Sequence, residues 1–274
     1  MQRITPSKMV RAVRNPLWGL RALRSMAGFV NADLAPVEFL VRVTGAPRDE
    51  VERYYNEALS VEELAKVFQV ADSVEQEWGA VGGAGIVGHL SLADAAILYS
   101  LILLSRPQVV VETGVAAGVS STVILLALER TGGRLYSIDL PPEAVMGKTL
   151  DDGLRYDPAF AKGQEPGWLV PERLKERWQL VLGDVREVLP GLLKDLGQID
   201  LFYHDDLHTP DHAFWEFKLV WPYLHDGGWL VVDDINYGWA AFLRKFKLAQ
   251  GSDLYVNCFA LGAVQKKSGT GRGF

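Results

Sequence analysis

Carboxylates follow several apolar runs of strand length in this 274-residue chain, where they could bind a ligand. Glu112, Asp139 and Asp184 each lie at the end of such a run or within two residues of it. A carboxylate in this place can accept hydrogen bonds from both hydroxyls of a ribose or from an adenine edge. Each acid could instead cap the next helix, since aspartate is a favoured N-cap residue. Their repetition at successive strand ends favours the ligand interpretation.

A turn of small residues joins the first of these acids to a helix. The stretch Glu112-Thr113-Gly114-Val115-Ala116-Ala117-Gly118 runs from a β-branched segment into helical spacing. Its small residues allow a ligand to approach the backbone where a helix N-terminus presents free N–H groups. The dinucleotide signature G-x-G-x-x-G would require glycine at the positions of Ala116 and Val119. A dehydrogenase-type dinucleotide site is therefore disfavoured.

A second polar group follows the next two strands. Asp205 and His208 come after the run IDLFYH. Asp233 is the last residue of the run WLVVD, and Asp234 follows it. Neighbouring strands lie about 5 Å apart, so acids at their ends converge. Oxygen ligands select a hard ion such as Mg²⁺, and a histidine can accept a proton near neutral pH. The sequence thus predicts that the crowded acids at these strand ends bind a hard metal ion, beside His208 as a general base.

The other side chains near these strand ends have weaker functional interpretations. His208 itself could simply bond a backbone group beside the following helix cap. His204 is expected to point into sheet packing, and His212 could be a second metal ligand, although two histidines four residues apart are weak evidence of zinc. Glu216 shares a helix with Trp215 and Trp221, and aromatic residues at this spacing usually belong to a core.

The elements that position these residues alternate between strand and helix. Strands are predicted at Gln108–Thr113, Arg134–Asp139, Trp178–Leu182, Ile199–His204, Trp229–Asp233, Leu254–Ala260 and Ala263–Lys266. Helices between them imply parallel βαβ units and a sheet covered on both faces. The fold class is therefore α/β, a doubly wound and mostly parallel seven-stranded sheet. Ligands of such sheets bind at the carboxyl ends of the strands.

Two segments lie outside this alternation. Residues 1–90 are predicted to be a helical N-terminal extension that covers the site at the strand ends or forms a dimer, with Ser60 and Glu63 as a capping box. Residues 91–274 form the ligand-binding domain, and residues 141–177 are an insertion over the sheet. The insertion, with Tyr156 and Trp168, is expected to act as a lid and to select the substrate.

Composition excludes several classes of protein. The formal net charge of −6 argues against a nucleic-acid partner. Residues 1–30 are basic and free of acids, which fits either a membrane-surface or targeting helix, or an amphipathic helix packed on its own domain or on a second subunit in a homo-oligomer. No segment resembles a transmembrane span, so stable membrane insertion is not expected. Cys258 is the only cysteine, which favours a reducing cytoplasm.

The glycine turn and the second strand carry a family resemblance. Residues 110–121 (VVETGVAAGVSS), followed by Ser137-Ile138-Asp139, resemble the S-adenosylmethionine-binding start of class I methyltransferases. The branch is that of many small-molecule and sugar O-methyltransferases, methyltransferase family 24-like, and the similarity runs from about residue 85 to the end. The resemblance implies that the turn lies under the methionine portion of the cofactor, with Asp139 on the ribose and Asp184 at the adenine. The cofactor-binding set it implies is Glu112, Gly114, Ala116, Gly118, Ser120, Asp139, Asp184 and Asp205.

The same resemblance implies transfer of a methyl group to a hydroxyl oxygen of a small molecule, with Mg²⁺ assistance. Asp205 and His208 would be catalytic, and Asp205, Asp233 and Asp234 would hold the metal. Two positions depart from the family pattern: Ala116 replaces a common glycine, and Asp234 stands where asparagine is usual. Two rival functions remain, an enzyme of the same fold with hydroxylase-like chemistry and a non-catalytic nucleotide-binding protein.

Overall fold

The computed structural model describes residues 34–80, 90–151, 163–233, 254–255 and 261–267. Several predictions of the sequence analysis therefore lie outside the described residues. They concern the basic segment 1–30, the predicted lid residue Tyr156, the predicted metal ligand Asp234 and Cys258.

Three helices precede the sheet domain. They are α1 (Pro36–Thr44), α2 (Arg48–Ser60) and α3 (Glu62–Ala80). Proline in the first turn of α1 suits a helix start, and Gly45 ends that helix in the left-handed conformation at φ 69°. The predicted capping box at Ser60 is wrong: Ser60 is the last residue of α2, and its hydroxyl donates to the Glu57 carbonyl oxygen at 2.7 Å.

The remaining elements alternate as the sequence predicts. In chain order they are α4 (Leu92–Ser105), β1 (Val109–Thr113), α5 (Val119–Thr131), β2 (Arg134–Asp139), α6 (Pro142–Val145), a 3₁₀ turn (Glu172–Arg177), β3 (Trp178–Leu182), α7 (Val185–Leu196), β4 (Ile199–His204), α8 (Pro210–Val220), β5 (Leu224–Val232), β6 (Leu254–Tyr255) and β7 (Gly262–Gln265). Ser91 caps α4, as its hydroxyl accepts from the Asp94 N–H.

One seven-stranded sheet joins the strands in the order β3-β2-β1-β4-β5-β7-β6. The pairs from β3 to β5 are parallel, whereas β7 is antiparallel to both β5 and β6. The predicted doubly wound, mostly parallel sheet is confirmed. In the strand register, Thr113 of β1 pairs with His204 of β4, and His204 pairs with Val232 of β5. The carboxyl ends of β1, β4 and β5 therefore meet at one rim.

Two apolar layers cover the sheet. One face packs on α4, α5 and the N-terminal helices, and the other packs on α7 and α8. Alternate residues of β4 point to opposite layers, with Tyr203 in the first and Phe202 in the second. This two-sided burial explains why the central strands read as continuous apolar runs in the sequence.

Residues 34–80 share the first of these layers with the sheet domain. Phe39, Leu40 and Leu64 are buried in the same apolar cluster as α4 and α5. Polar contacts join the two parts as well, since Arg173 is paired with both Glu63 and Glu129. The described part of the extension is therefore packed on the domain; a dimerising role remains a prediction. Within the described residues, every helix is too short or too polar to cross a bilayer.

Candidate functional site

The turn after β1 lies against the turn after β4. Gly114 has φ 82°, and a Cβ atom built on it would stand 2.1 Å from the carbonyl oxygen of Asp205. The Asp205 N–H in turn donates to the Thr113 carbonyl oxygen at 2.9 Å. Only glycine combines this backbone conformation with such a close approach. The turn and the predicted catalytic acid are thus held side by side.

The second half of this turn is attached to the insertion. The Gly167 N–H donates to the Ala116 carbonyl oxygen at 2.8 Å, and the Leu169 N–H donates to that of Ala117 at 2.9 Å. Gly118, at φ 94°, has no room for a Cβ because it would lie 2.7 Å from Gly167 Cα. Ala116 adopts φ 49°, the left-handed region that a glycine there would occupy freely. Part of the predicted lid is therefore fixed to the turn.

Asp139 holds the turn from the neighbouring strand. Its Oδ2 accepts from the N–H groups of Val115 at 3.0 Å and Ala116 at 2.7 Å, and its Oδ1 accepts from Leu140 at 2.7 Å. Burial raises the pKa of Asp139 to about 6, and these backbone donors limit the rise. A carboxylate oxygen can accept two hydrogen bonds, and Oδ1 accepts one from the described residues. The acid can therefore organise the turn and still accept from a ligand.

Glu112, which we predicted to bind the cofactor, points into the protein. Its carboxylate is fully buried and accepts from Ser120 at 2.8 Å, Ser121 at 2.7 Å and Ser137 at 2.6 Å. Trp178 Nε1 donates to the Ser137 hydroxyl at 2.8 Å and extends the network to β3. Ser120, which we also predicted to bind cofactor, is thus part of this buried network.

The burial of Glu112 gives a prediction for stability against pH. Desolvation raises its pKa from 4.5 to about 7, although the three serine hydroxyls oppose the rise. The folded protein therefore keeps a proton that the unfolded chain has lost, so stability falls as pH increases between these two values. We expect Glu112→Gln to remove up to about 3 kcal/mol of that pH-dependent loss.

The measurement is urea denaturation of wild type and variant at pH values from 4.5 to 8. The exposed Glu172→Gln variant, on the 3₁₀ turn, should keep the wild-type slope. An unchanged slope in Glu112→Gln would show that this carboxyl does not titrate in the folded protein.

Asp184 caps a helix, which was the alternative to ligand binding in the sequence analysis. It is the N-cap of α7, and its Oδ1 accepts from the Arg186 N–H at 2.8 Å. The side chain is exposed and lies next to Gly183, whose N–H donates to the Asp139 carbonyl oxygen at 2.8 Å. Capping leaves the second carboxylate oxygen available at the same rim. Its contact with adenine remains a prediction.

The ends of β4 and β5 carry the predicted catalytic residues. The Asp233 N–H donates to the His204 carbonyl oxygen at 2.9 Å, which joins the two strand ends. His208 Nε2 lies 3.6 Å from Asp205 Oδ1. The side chains of Asp205 and Asp233 are both partly exposed, so the two acids can reach a ligand. The geometry therefore brings Asp205, His208 and Asp233 to the rim that also carries the glycine turn.

Behind this rim lies a buried group of four polar side chains: His204, Asp206, His212 and Glu216. The sequence analysis did not predict that these side chains come together. His204 Nδ1 contacts Glu216 Oε2 and lies 3.3 Å from Asp206 Oδ1, while His212 Nε2 lies 2.8 Å from Asp206 Oδ2. Sequence reasoning placed His204 in sheet packing, considered His212 as a second metal ligand, and noted Glu216 only on a helix with core aromatic residues. The available signal was the spacing of three polar residues, Asp206, His212 and Glu216, around the start of α8.

The two acids of this group have opposite pKa shifts. Burial alone would raise the pKa of Asp206, but the hydrogen bond from His212 and the nearby His204 and His208 lower it below its usual value. Burial, together with the charge of Asp206, raises the pKa of Glu216 well above its usual value. The histidines thus favour the ionised form of Asp206, whereas burial favours the protonated form of Glu216.

Sequence comparison relates this domain to methyltransferases. Residues 111–235 match a family described as a methyltransferase domain. The O-methyltransferase hkm8 of Aspergillus hancockii is 26% identical over 147 residues, which are 54% of this chain and 50% of that protein. The chain therefore spans about half the length of this curated relative.

Solved structures share the fold at low sequence identity. The O-methyltransferase from Bacillus cereus in complex with SAH has a TM-score of 0.50 and 14% identity, over 74% of this chain and 90% of that one. Cofactor-bound Rv0187 from MTB has a TM-score of 0.50 and 15% identity, over 75% and 90% of the two chains. The class I methyltransferase fold that the resemblance implied is confirmed.

Proposed function

We propose that this chain, which carries a methyltransferase domain over residues 111–235, transfers a methyl group from S-adenosylmethionine to a hydroxyl oxygen of a small molecule. The observation that carries the proposal is the contact between the turns after β1 and β4. Gly114 touches the backbone of Asp205, so a donor over the first turn would lie beside the acid after β4. The SAH complex of the O-methyltransferase from Bacillus cereus supports the same donor.

The donor fits the first part of the rim. Gly114, Ala116 and Gly118 give a backbone without bulky side chains, in which Ala116 and both glycines have positive φ. Asp139 is the proposed acceptor for the ribose hydroxyls, and Asp184, with one oxygen in its cap, is the proposed contact of the adenine. Glu112 and Ser120 are proposed to act from below, because their buried hydrogen bond fixes the first turn of α5 beneath the donor.

The acceptor hydroxyl is proposed to lie between His208 and the acids after β4 and β5. In an in-line transfer the O–CH₃ bond forms as the S–CH₃ bond breaks, and the sulfur retains the electron pair. The hydroxyl proton passes to the His208 imidazole, and Asp205, 3.6 Å from Nε2, stabilises the cation that results. The products are the methyl ether and S-adenosylhomocysteine.

Magnesium is proposed as an aid to this deprotonation. Asp205 and Asp233 come from adjacent strand ends and supply the oxygen ligands that Mg²⁺ prefers, and Asp234 is the third proposed ligand. When bound, the ion would lower the pKa of the acceptor hydroxyl. We expect excess EDTA to reduce turnover by about 100-fold or more, and added Mg²⁺ to restore it. Full turnover in EDTA would refute the metal, and mass spectrometry of the product measures both states.

The activity itself is tested by mass spectrometry after incubation with S-adenosylmethionine. The acceptor panel contains catechols, sugars and other polyols, because the rim does not distinguish among them. A product that is heavier by one methylene supports the proposal. An oxygen-dependent product without a methyl group indicates hydroxylase-like chemistry, and binding without turnover across the panel indicates a nucleotide-binding protein.

The cellular setting is part of the proposal as well. The net charge of −6 supports a small-molecule substrate rather than a nucleic acid. A cytoplasmic location rests on the single Cys258, and a homo-oligomer rests on the basic segment 1–30. Light scattering of the full chain, compared with a chain that lacks residues 1–30, tests the oligomer.

A further inference from the structure

Four side chains converge behind the rim, on the side of β4 that faces α8. They come from the end of β4 (His204), the turn after it (Asp206) and successive turns of α8 (His212 and Glu216). We propose that these four residues form a binding site for a transition-metal ion of the Zn²⁺ class, separate from the magnesium site proposed at Asp205 and Asp233. This inference does not depend on the proposed methyl transfer.

The distances suit a common ion. Ligand atoms of His204, Asp206 and Glu216 all lie within 4.8 Å of one another. Around the four residues, His204 Nδ1 lies 3.3 Å from Asp206 Oδ1, Asp206 Oδ2 lies 2.8 Å from His212 Nε2, and His212 Nε2 lies 3.9 Å from Glu216 Oε1. Ligands of a tetrahedral zinc ion lie about 3.3–3.6 Å apart. The His204–Glu216 and Asp206–His212 contacts are the two that must lengthen to admit an ion.

Burial supplies the second argument. His204 and Glu216 have no exposed side-chain surface, and those of Asp206 and His212 are 15% and 5% exposed. Glu216 Oε1 and Asp206 Oδ1 are buried, and neither accepts a hydrogen bond from the described residues. Two carboxylates in so enclosed a space need positive compensation, because desolvated negative charges repel strongly. A bound cation would supply it and would use both of these oxygens.

The donor set selects the type of ion. Two imidazole nitrogens with two carboxylate oxygens suit Zn²⁺, Fe²⁺ or Mn²⁺, whereas Mg²⁺ favours oxygen alone. A hydrogen bond outside the ligand set orients one ligand, since the Thr113 hydroxyl donates to Glu216 Oε2 at 3.3 Å. The Phe217 ring packs edge-on against His204, with the ring centroids 5.2 Å apart. Both contacts restrict the ligand side chains before an ion binds.

The site would fix the segment that carries the proposed catalytic residues. Asp206 is adjacent to Asp205 in the chain, and the His204 and His208 rings lie edge to face with centroids 6.2 Å apart. An ion bound to His204 and Asp206 would immobilise the strand end from which Asp205 and His208 extend. Its role toward them is one of positioning.

One other arrangement could neutralise the group. If Glu216 were protonated, it could donate its proton to Asp206, and His212 would balance the remaining carboxylate. Protons and a metal ion would then compete for the same atoms, so metal content distinguishes the two arrangements.

The test is equilibrium dialysis of the full chain against Zn²⁺, followed by elemental analysis. Wild type should retain one zinc per chain, and Glu216→Gln or His212→Gln should weaken retention by roughly 100-fold or more. Asp211→Asn removes an exposed carboxylate of the same helix and should retain zinc like wild type. Asp205→Asn should retain it too, because Asp205 belongs to the proposed magnesium site. Equal retention by wild type and both ligand variants would overturn the proposal.

A second readout avoids dependence on the variants. Cobalt loading of the wild-type chain should give the intense visible absorption of tetrahedral Co²⁺, and Zn²⁺ should abolish it while Mg²⁺ should not. Weak, octahedral-type absorption or displacement by Mg²⁺ would overturn the proposal. Both measurements omit S-adenosylmethionine, so their failure is distinct from a failure of methyl transfer.

Discussion

Asp139→Ala should lower the affinity for S-adenosylmethionine by roughly 100-fold or more, measured by titration calorimetry. The variant would lose the proposed acceptor of both ribose hydroxyls. It would also leave the Val115 and Ala116 N–H groups without the carboxylate that now holds the turn. Wild-type affinity should itself decline below about pH 6, because protonation of Asp139 weakens it as an acceptor.

Two variants separate the ribose contact from a general loss of folding. Asp139→Asn preserves the shape and one acceptor oxygen, so the turn should persist while affinity falls by a smaller factor. Asp195→Ala removes an exposed carboxylate of α7 and should bind like wild type. Unchanged affinity in a folded Asp139→Ala protein would refute the ribose assignment.

His208→Gln should lower kcat by about 10²- to 10⁴-fold, the usual contribution of a general base, and leave donor affinity nearly unchanged. Glutamine keeps a hydrogen-bonding group in the pocket but cannot accept the proton. The increase of kcat with pH that a histidine base produces should disappear in the variant as well. Steady-state kinetics with an acceptor from the productive panel, at several pH values, measure both effects.

The control for this prediction is a paired histidine far from the rim. His225 Nε2 lies 2.7 Å from Asp200 Oδ1 at the opposite end of the strands, so His225→Gln should retain activity. A His208→Gln enzyme with wild-type kcat and an unchanged pH profile would leave only the structural interpretation, a histidine beside the cap of α8. Loss of donor affinity without loss of kcat would also contradict the assignment.

The sheet could be predicted because its strands carry a simple pattern. The strands β2, β3 and β4 begin and end where the apolar runs do. The start of β5 was missed by five residues, since Gly227 and Gly228 look like a turn. Instead, the Gly227 N–H donates to the Lys266 carbonyl oxygen at 2.7 Å, so pairing with the last segment continues the strand through them. The predicted capping box at Ser60 was wrong because two helices follow each other closely there. The apolar spacing of the sequence does not show whether Ser60 ends the first helix or begins the second.

The candidate site was predictable only where strand order alone determines position. Asp139, Asp205 and Asp233 could be assigned to one rim because parallel strands end at one edge. Side-chain direction needs the packing of neighbours, and this is why the buried network of Glu112 was not predicted: its hydroxyl donors come from α5 and β2. The group around Glu216 was missed for the same reason, since only the docking of α8 against β4 brings its carboxylate to His204.

A crystal structure with S-adenosylhomocysteine tests the central claim most directly. We expect the ribose hydroxyls within hydrogen-bond distance of Asp139, the homocysteine over Gly114–Gly118, and the sulfur facing Asp205 and His208. A nucleoside bound away from this rim, or one whose sulfur faces away from His208 and Asp205, would contradict the account.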